Sequence, residues 1–228
     1  MGTSKGYISP TTIEWSKTKR AVTSLIDKPT KENIKKSVAK FSEAMKKDRV
    51  ADKIFTKAVA QIINLSRNIK TNGIDNSLKA LGRNDLIGKD NEEIFNDLLY
   101  YFTDNGASIE DSLAIDALSK ALNNLEINDI EKLKDMNEEG FLREVIYEFA
   151  ELSFEFRFFE KISNKRTPSE TRKILNDLKE YIKGTIYEEL KIEDINQINF
   201  QDLSGEVYIV NLCNQTLKIF EDIYEGDK

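Results

Sequence analysis

Apolar positions recur along almost the whole chain at helical spacing. Ile34, Val38, Phe41 and Met45 stand at i, i+4, i+7 and i+11, a narrow stripe on an otherwise lysine-rich segment. Ahead of them Trp15, Val22, Leu25 and Ile26 fit one face of a helix opened by Ser9-Pro10 and by Thr11-x-x-Glu14, a capping-box pattern. Asp27-Lys28-Pro29-Thr30 breaks that period, and Thr30 is a good N-cap for the lysine-rich helix. A third helix is predicted over about 50–69, ended by Thr71-Asn72-Gly73. A short one over 74–81 leads to the loop Gly82 to Gly88. Asp90-x-x-Glu93 then caps a helix bearing Ile94, Phe95, Leu98 and Leu99. Asp104-Asn105-Gly106 reads as a turn, and Ser108-x-x-Asp111 opens the helix of Leu113, Ile115, Leu118 and Leu122.

Residues 138–162 are apolar on most faces: Phe141, Leu142, Val145, Ile146, Phe149, Leu152, Phe156 and Phe159. That pattern belongs at the centre of a bundle. Thr167-Pro168-Ser169-Glu170 combines cap, first-turn proline and capping-box glutamate, the firmest boundary in the chain. Ile174, Leu175, Leu178 and Ile182 come after it at helical spacing. A last helix is predicted over 205–224, although Val207-Tyr208-Ile209-Val210 has the composition of a strand. The expectation is an all-α fold, a multi-helix bundle of about eight helices. Residues 11–228 would form a single domain behind a short flexible leader, residues 1–10, which carries Gly2 and Gly6 and no apolar run.

Charge divides this helical body. Residues 1–70 hold 16 Lys and Arg against 6 Asp and Glu, a surplus of ten, while the remainder is acidic enough to bring the whole to −6. A basic half, 11–70, therefore precedes an acidic half, 71–228. A molecule so polarised docks its basic end on a polyanion or an acidic partner. No apolar run approaches the ~20 residues of a membrane span, and the N-terminus lacks the apolar core of a signal peptide. One cysteine, Cys213, fits a reducing compartment, so a cytoplasmic protein without membrane contact is expected.

No histidine occurs in 228 residues. This excludes Ser-His-Asp and Cys-His nucleophiles and the histidine zinc motifs. Carboxylate-plus-magnesium chemistry survives the filter, and Glu144, Glu148, Glu151 and Glu155 share one helix face at the spacing it would need. The plainer reading makes that stripe the solvent-facing edge of a buried helix, and no metal site or cofactor is assigned. Lys35, Lys36, Lys40, Lys46 and Lys47, within the lysine-rich stretch 28–57, are candidate contacts to a nucleic-acid backbone. Interleaved Glu32, Glu43, Asp48 and Asp52 favour a solvated face instead. Cys213 reads as a small core residue and Trp15 as an anchor of the first helix.

Met1-Gly2-Thr3-Ser4-Lys5-Gly6-Tyr7, followed by Pro10, Trp15 and Lys19, resembles the start of the QatB family of bacterial anti-phage defence islands. Further blocks are similar: Leu78-x-x-Leu81-Gly82 with Leu86-Ile87-Gly88-Lys89, Ile109-Glu110-Asp111 with Ala114, Phe149 to Phe159, and Leu178-Lys179-Glu180-Tyr181-Ile182. The chain differs from the family in lacking a long Pro/Gly-rich linker after the leader. The resemblance implies a non-enzymatic adaptor or substrate-like subunit working beside an ATPase, a QueC-like enzyme of deazaguanine chemistry and a TatD-like nuclease. It implies that Gly2, after removal of Met1, is the acceptor of a covalent modification, with Thr3, Ser4, Lys5, Gly6 and Tyr7 entering the partner. Myristoylation is excluded, because Gly6 stands where Ser or Thr is required.

Overall fold

Where helices start is decided by side chains that satisfy the orphan N–H groups of the first turn. Thr167 accepts the N–H of Glu170 at 3.3 Å while Glu170 returns to the Thr167 N–H at 3.0 Å, the full capping box that the sequence pattern predicts. Asp90 takes the N–H groups of Glu92 and Glu93, and Thr30 takes that of Asn33. The first helix starts one residue later than its sequence pattern indicates. Thr12, not Thr11, accepts the Trp15 N–H, so the Thr11–Glu14 box does not form.

The computed structural model describes residues 11–48, 53–103 and 109–226. Among them stand nine α-helices and no strand. They are α1 (Ile13–Asp27), α2 (Lys31–Asp48), α3 (Lys53–Asn72), α4 (Ile74–Ala80), α5 (Asn91–Thr103), α6 (Ile109–Asn124), α7 (Glu138–Ser163), α8 (Pro168–Glu189) and α9 (Leu203–Gly226). The all-α expectation holds, with the short α4 counted separately. Gly73 stands between α3 and α4 at φ 77°, a conformation glycine adopts without strain. The turn read at Asp104-Asn105-Gly106 and the cap at Ser108 lie outside the described residues.

The strand-like run Val207-Tyr208-Ile209-Val210 is helical. Asp202 accepts the Ser204 N–H at 2.8 Å and so caps α9 ahead of it. Gly205 is needed there, since a Cβ would lie 2.7 Å from the Phe200 ring and 2.9 Å from its Cα. Local helix capping outweighs β propensity, which is a weak preference.

The chain divides into two compact units. The first comprises Met1–Val50, Ala150–Leu190 and Asn214–Lys228; the second comprises Ala51–Phe149 and Lys191–Cys213. In the first, α1 and α2 run antiparallel: Thr18 donates to the Lys40 carbonyl, and Asn33 holds the turn by donating to the carbonyls of Ser24 and Lys28. Trp15, Phe41, Phe154 and Phe158 meet as an aromatic cluster, with Phe41 and Phe154 centroids 5.2 Å apart. Trp15 is 1% exposed, the anchor the sequence suggested, and its Nε1 donates to Asp48 at 2.6 Å. In the second unit α3 packs against α4, α5, α6 and the 3-10 turn Glu131–Asp135. Phe55 stacks on Phe149 at 4.5 Å, and the Ser66 hydroxyl donates to the Leu133 carbonyl at 2.6 Å.

Candidate functional site

Gly2, Thr3, Ser4, Lys5, Gly6 and Tyr7 lie outside the described residues, as do Ser9 and Pro10. What is described is how the chain enters α1. Thr11 and Thr12 are exposed, Ile13 is 70% exposed, and burial begins abruptly at Trp15. The chain therefore joins the body at its surface.

The five candidate lysines all sit on α2 but do not share one environment. Lys40 is paired with Glu43 one turn on and faces the Tyr224 ring. Lys46 is paired with Glu221 of α9 at 2.8 Å. Lys35 lines a groove beside Asp177 and Glu180. Lys36 is half-buried and Lys47 exposed. Carboxylates thus answer part of this basic face from α2 itself and from α8 and α9, as the interleaved acids suggested.

The glutamate stripe of α7 is not the solvent edge that the sequence favoured. Glu144, Glu148 and Glu151 are 2%, 4% and 4% exposed, and Glu155 is half-buried. A buried carboxylate persists only when charge and hydrogen bonds compensate its lost hydration. Within the second unit Asn124 Nδ2 donates to Glu144 at 2.8 Å and to Glu148 at 2.9 Å, with Lys120 Nζ 3.8 Å from Glu148. Within the first unit Lys179 Nζ stands 2.8 Å from Glu151 and 3.4 Å from Glu155. Burial pulls the Lys179 ammonium down, but the two carboxylates together outweigh it and hold its pKa above the ordinary lysine value. Among the described residues no group of three His, Cys, Asp or Glu side chains could hold a metal ion. These carboxylates join α7 to α6 and α8.

The apolar phase of α7 shifts with them. Phe154, Phe158 and Ile162 point inward in the first unit, while Phe156 and Phe159, read as core, are 39% and 46% exposed. Sequence reading missed Lys179 and Asn124 as partners. Lys179 carried a signal, since it follows Leu175 by one turn and so flanks the apolar stripe of α8.

Three further groups are chemically quiet. Cys213 is 6% exposed, and burial pushes its thiol up to about 12, so it is not a nucleophile at neutral pH. Lys161 donates to the Lys19 carbonyl at 2.6 Å and to Thr23 at 2.7 Å; burial, then Lys165 and Lys19, lower its pKa. Arg67 donates to both Glu138 oxygens, at 2.8 and 2.6 Å, and to the carbonyls of Ile195 and Ile198, with its guanidinium over Phe200. Among the described residues no helix is long and apolar enough to cross a membrane.

These features define a helical protein in which the buried Glu144, Glu148 and Glu151 are met by side chains of neighbouring helices. The model of a family described as Qat anti-phage system associated protein QatB matches residues 48–220, about three-quarters of the chain. The chain belongs to the QatB family, and as such is a component of an anti-phage defence system that works with other proteins of the same operon. Comparisons with curated proteins and with solved structures gave no match.

Proposed function

We propose that this chain is a non-enzymatic adaptor and substrate-like subunit of its defence system, handled by its partners through Gly2. Family membership carries the reading. The exposure of Thr11, Thr12 and Ile13, the first described residues, supports it. The pairing of the α7 carboxylates within the body supports a structural use of its interior charge.

A QueC-like partner supplies the chemistry. With Met1 removed, the α-amine of Gly2 has a pKa near ~8 and is partly unprotonated at neutral pH. It attacks an ATP-activated carboxylate on a deazaguanine, forming an amide and expelling the activating group, with the proton passing to solvent. Thr3 to Tyr7 occupy the partner's pocket. The nucleic-acid reading on Lys35, Lys36, Lys40, Lys46 and Lys47 is weaker, since Lys40 and Lys46 already have carboxylate partners.

Intact-mass and N-terminal peptide analysis after co-expression with the operon neighbours tests the proposal. A mass gain confined to the Gly2 peptide is expected, and Gly2→Glu, which keeps Met1, abolishes it. An unmodified Gly2 peptide beside an active partner enzyme overturns it.

A further inference from the structure

The first unit contains a half-open groove of about 420 Å³ between the end of α7 and the first half of α8. Phe159 and Leu175 give it apolar surface. Arg166, Arg172 and Lys179 bring three cations, against one carboxylate, Glu155, among its described lining residues. Two of the cations are engaged. Arg166 holds the carbonyls of Ile26 and Asp27 together with Glu170, and Lys179 sits between Glu151 and Glu155. Arg172 differs: it is exposed and has no carboxylate partner among the described residues.

A second observation is independent of this charge count. Thr171 also lines the groove, is 5% exposed, and its hydroxyl has no hydrogen-bond partner among the described residues. A helical threonine hydroxyl ordinarily bonds the carbonyl four residues back. Here the Thr167 carbonyl accepts only the Thr171 N–H, at 2.9 Å. A buried hydroxyl left without a partner beside a cavity marks a wall whose polar groups the fold has not fully satisfied. Phe159, at 46% exposure, adds an aromatic surface that the fold itself does not cover.

We propose that this groove binds a small amphipathic anion: one carboxylate or phosphate carried on an aromatic or aliphatic body. The anionic head takes the fork of Arg172, the cation with donors to spare. The body rests on Phe159 and Leu175. The volume falls within the range of small-molecule sites, roughly 300–1,000 Å³. The inference does not rest on the handling of Gly2.

Calorimetric titration of the full-length protein with naphthoate, octanoate and the neutral naphthamide tests it. One-to-one binding of at least one anion below millimolar concentration is expected. The anion preferred distinguishes an aromatic from an aliphatic source. Naphthamide and the Arg172→Gln protein should each bind about tenfold more weakly, a difference of about 1.4 kcal/mol. Arg172→Gln should melt as the parent does, because the side chain is exposed. Absence of binding by both anions at millimolar concentration overturns the proposal. So does equal binding of acid and amide, indifference to Arg172→Gln, or binding confined to acidic peptides.

Discussion

The first unit gathers Trp15, Phe41, Phe154 and Phe158 into one ring cluster within its aliphatic core, whereas the second ties a stretch of irregular chain to its core with one guanidinium. Trp15, Phe41, Phe154 and Phe158 interlock with centroids 5.0 to 6.5 Å apart, edge-on or tilted. In the second unit Ile62, Ile63, Leu65, Leu78, Leu118 and Leu122 share the core with the Phe55–Phe149 stack and with the buried rings of Phe95, Phe102 and Phe141. There the irregular chain between α8 and α9 is held by Arg67, which binds its carbonyls at Ile195 and Ile198 while gripping Glu138. Rings bury large area with defined edge-to-face geometry, so the first unit depends on shape. A planar five-donor group can satisfy several carbonyls at once, so the second depends on one residue's hydrogen bonds.

Truncation separates the two cases. Trp15→Ala empties the ring cluster and should cost about 3–5 kcal/mol in urea unfolding. Trp15→Phe keeps one ring but loses the Nε1 bond and the rest of the indole, so it should cost less than the truncation to alanine. Arg67→Ala should cost about 2 kcal/mol, because several charge-assisted bonds go at once. Its distinguishing mark is faster amide exchange near 195–200, with α3 little changed. Arg67→Lys should not rescue it, since an ammonium cannot match the fork. If Arg67→Ala left exchange at 195–200 unaltered, the contrast between the units would fail.

Smaller effects sharpen the picture. Thr167→Ala removes the capping hydroxyl of α8 and should cost about 1 kcal/mol. The same change at Thr11 should cost almost nothing, because Thr12 caps α1. Cys213 gives the least. Its folded pKa, about 12, lies above the ordinary thiol value, so the folded state keeps a proton that the unfolded state releases. Its contribution is whole below about pH 8.5 and is lost as pH rises toward 12. Relative to Cys213→Ala, the parent should lose stability over that alkaline range, and native protein should resist thiol reagents until unfolded.

Local signals were legible and long-range compensation was not. The capping box at Thr167 and Glu170, the stop at Gly73 and the anchor at Trp15 are written in neighbouring residues. The phase of α7 is not. Counting apolar positions puts Phe156 and Phe159 inside and the glutamates outside, the reverse of the observed burial in that half of the helix. Glu151 goes inward because Lys179 meets it from another helix, and Glu144 because Asn124 does. No periodicity along α7 encodes those partners. The site residues of the leader were read from resemblance alone, whereas the groove at Arg172 came into view only once α7 and α8 were side by side.

Gly2 is the proposed handle by which the helical body is recruited to defence. Cells carrying the whole operon, with either the parent chain or Gly2→Glu, can be challenged with phage and scored for plaques. The account predicts that Gly2→Glu accumulates and melts as the parent protein does, yet protects no better than cells without the operon. Full protection by Gly2→Glu would contradict it.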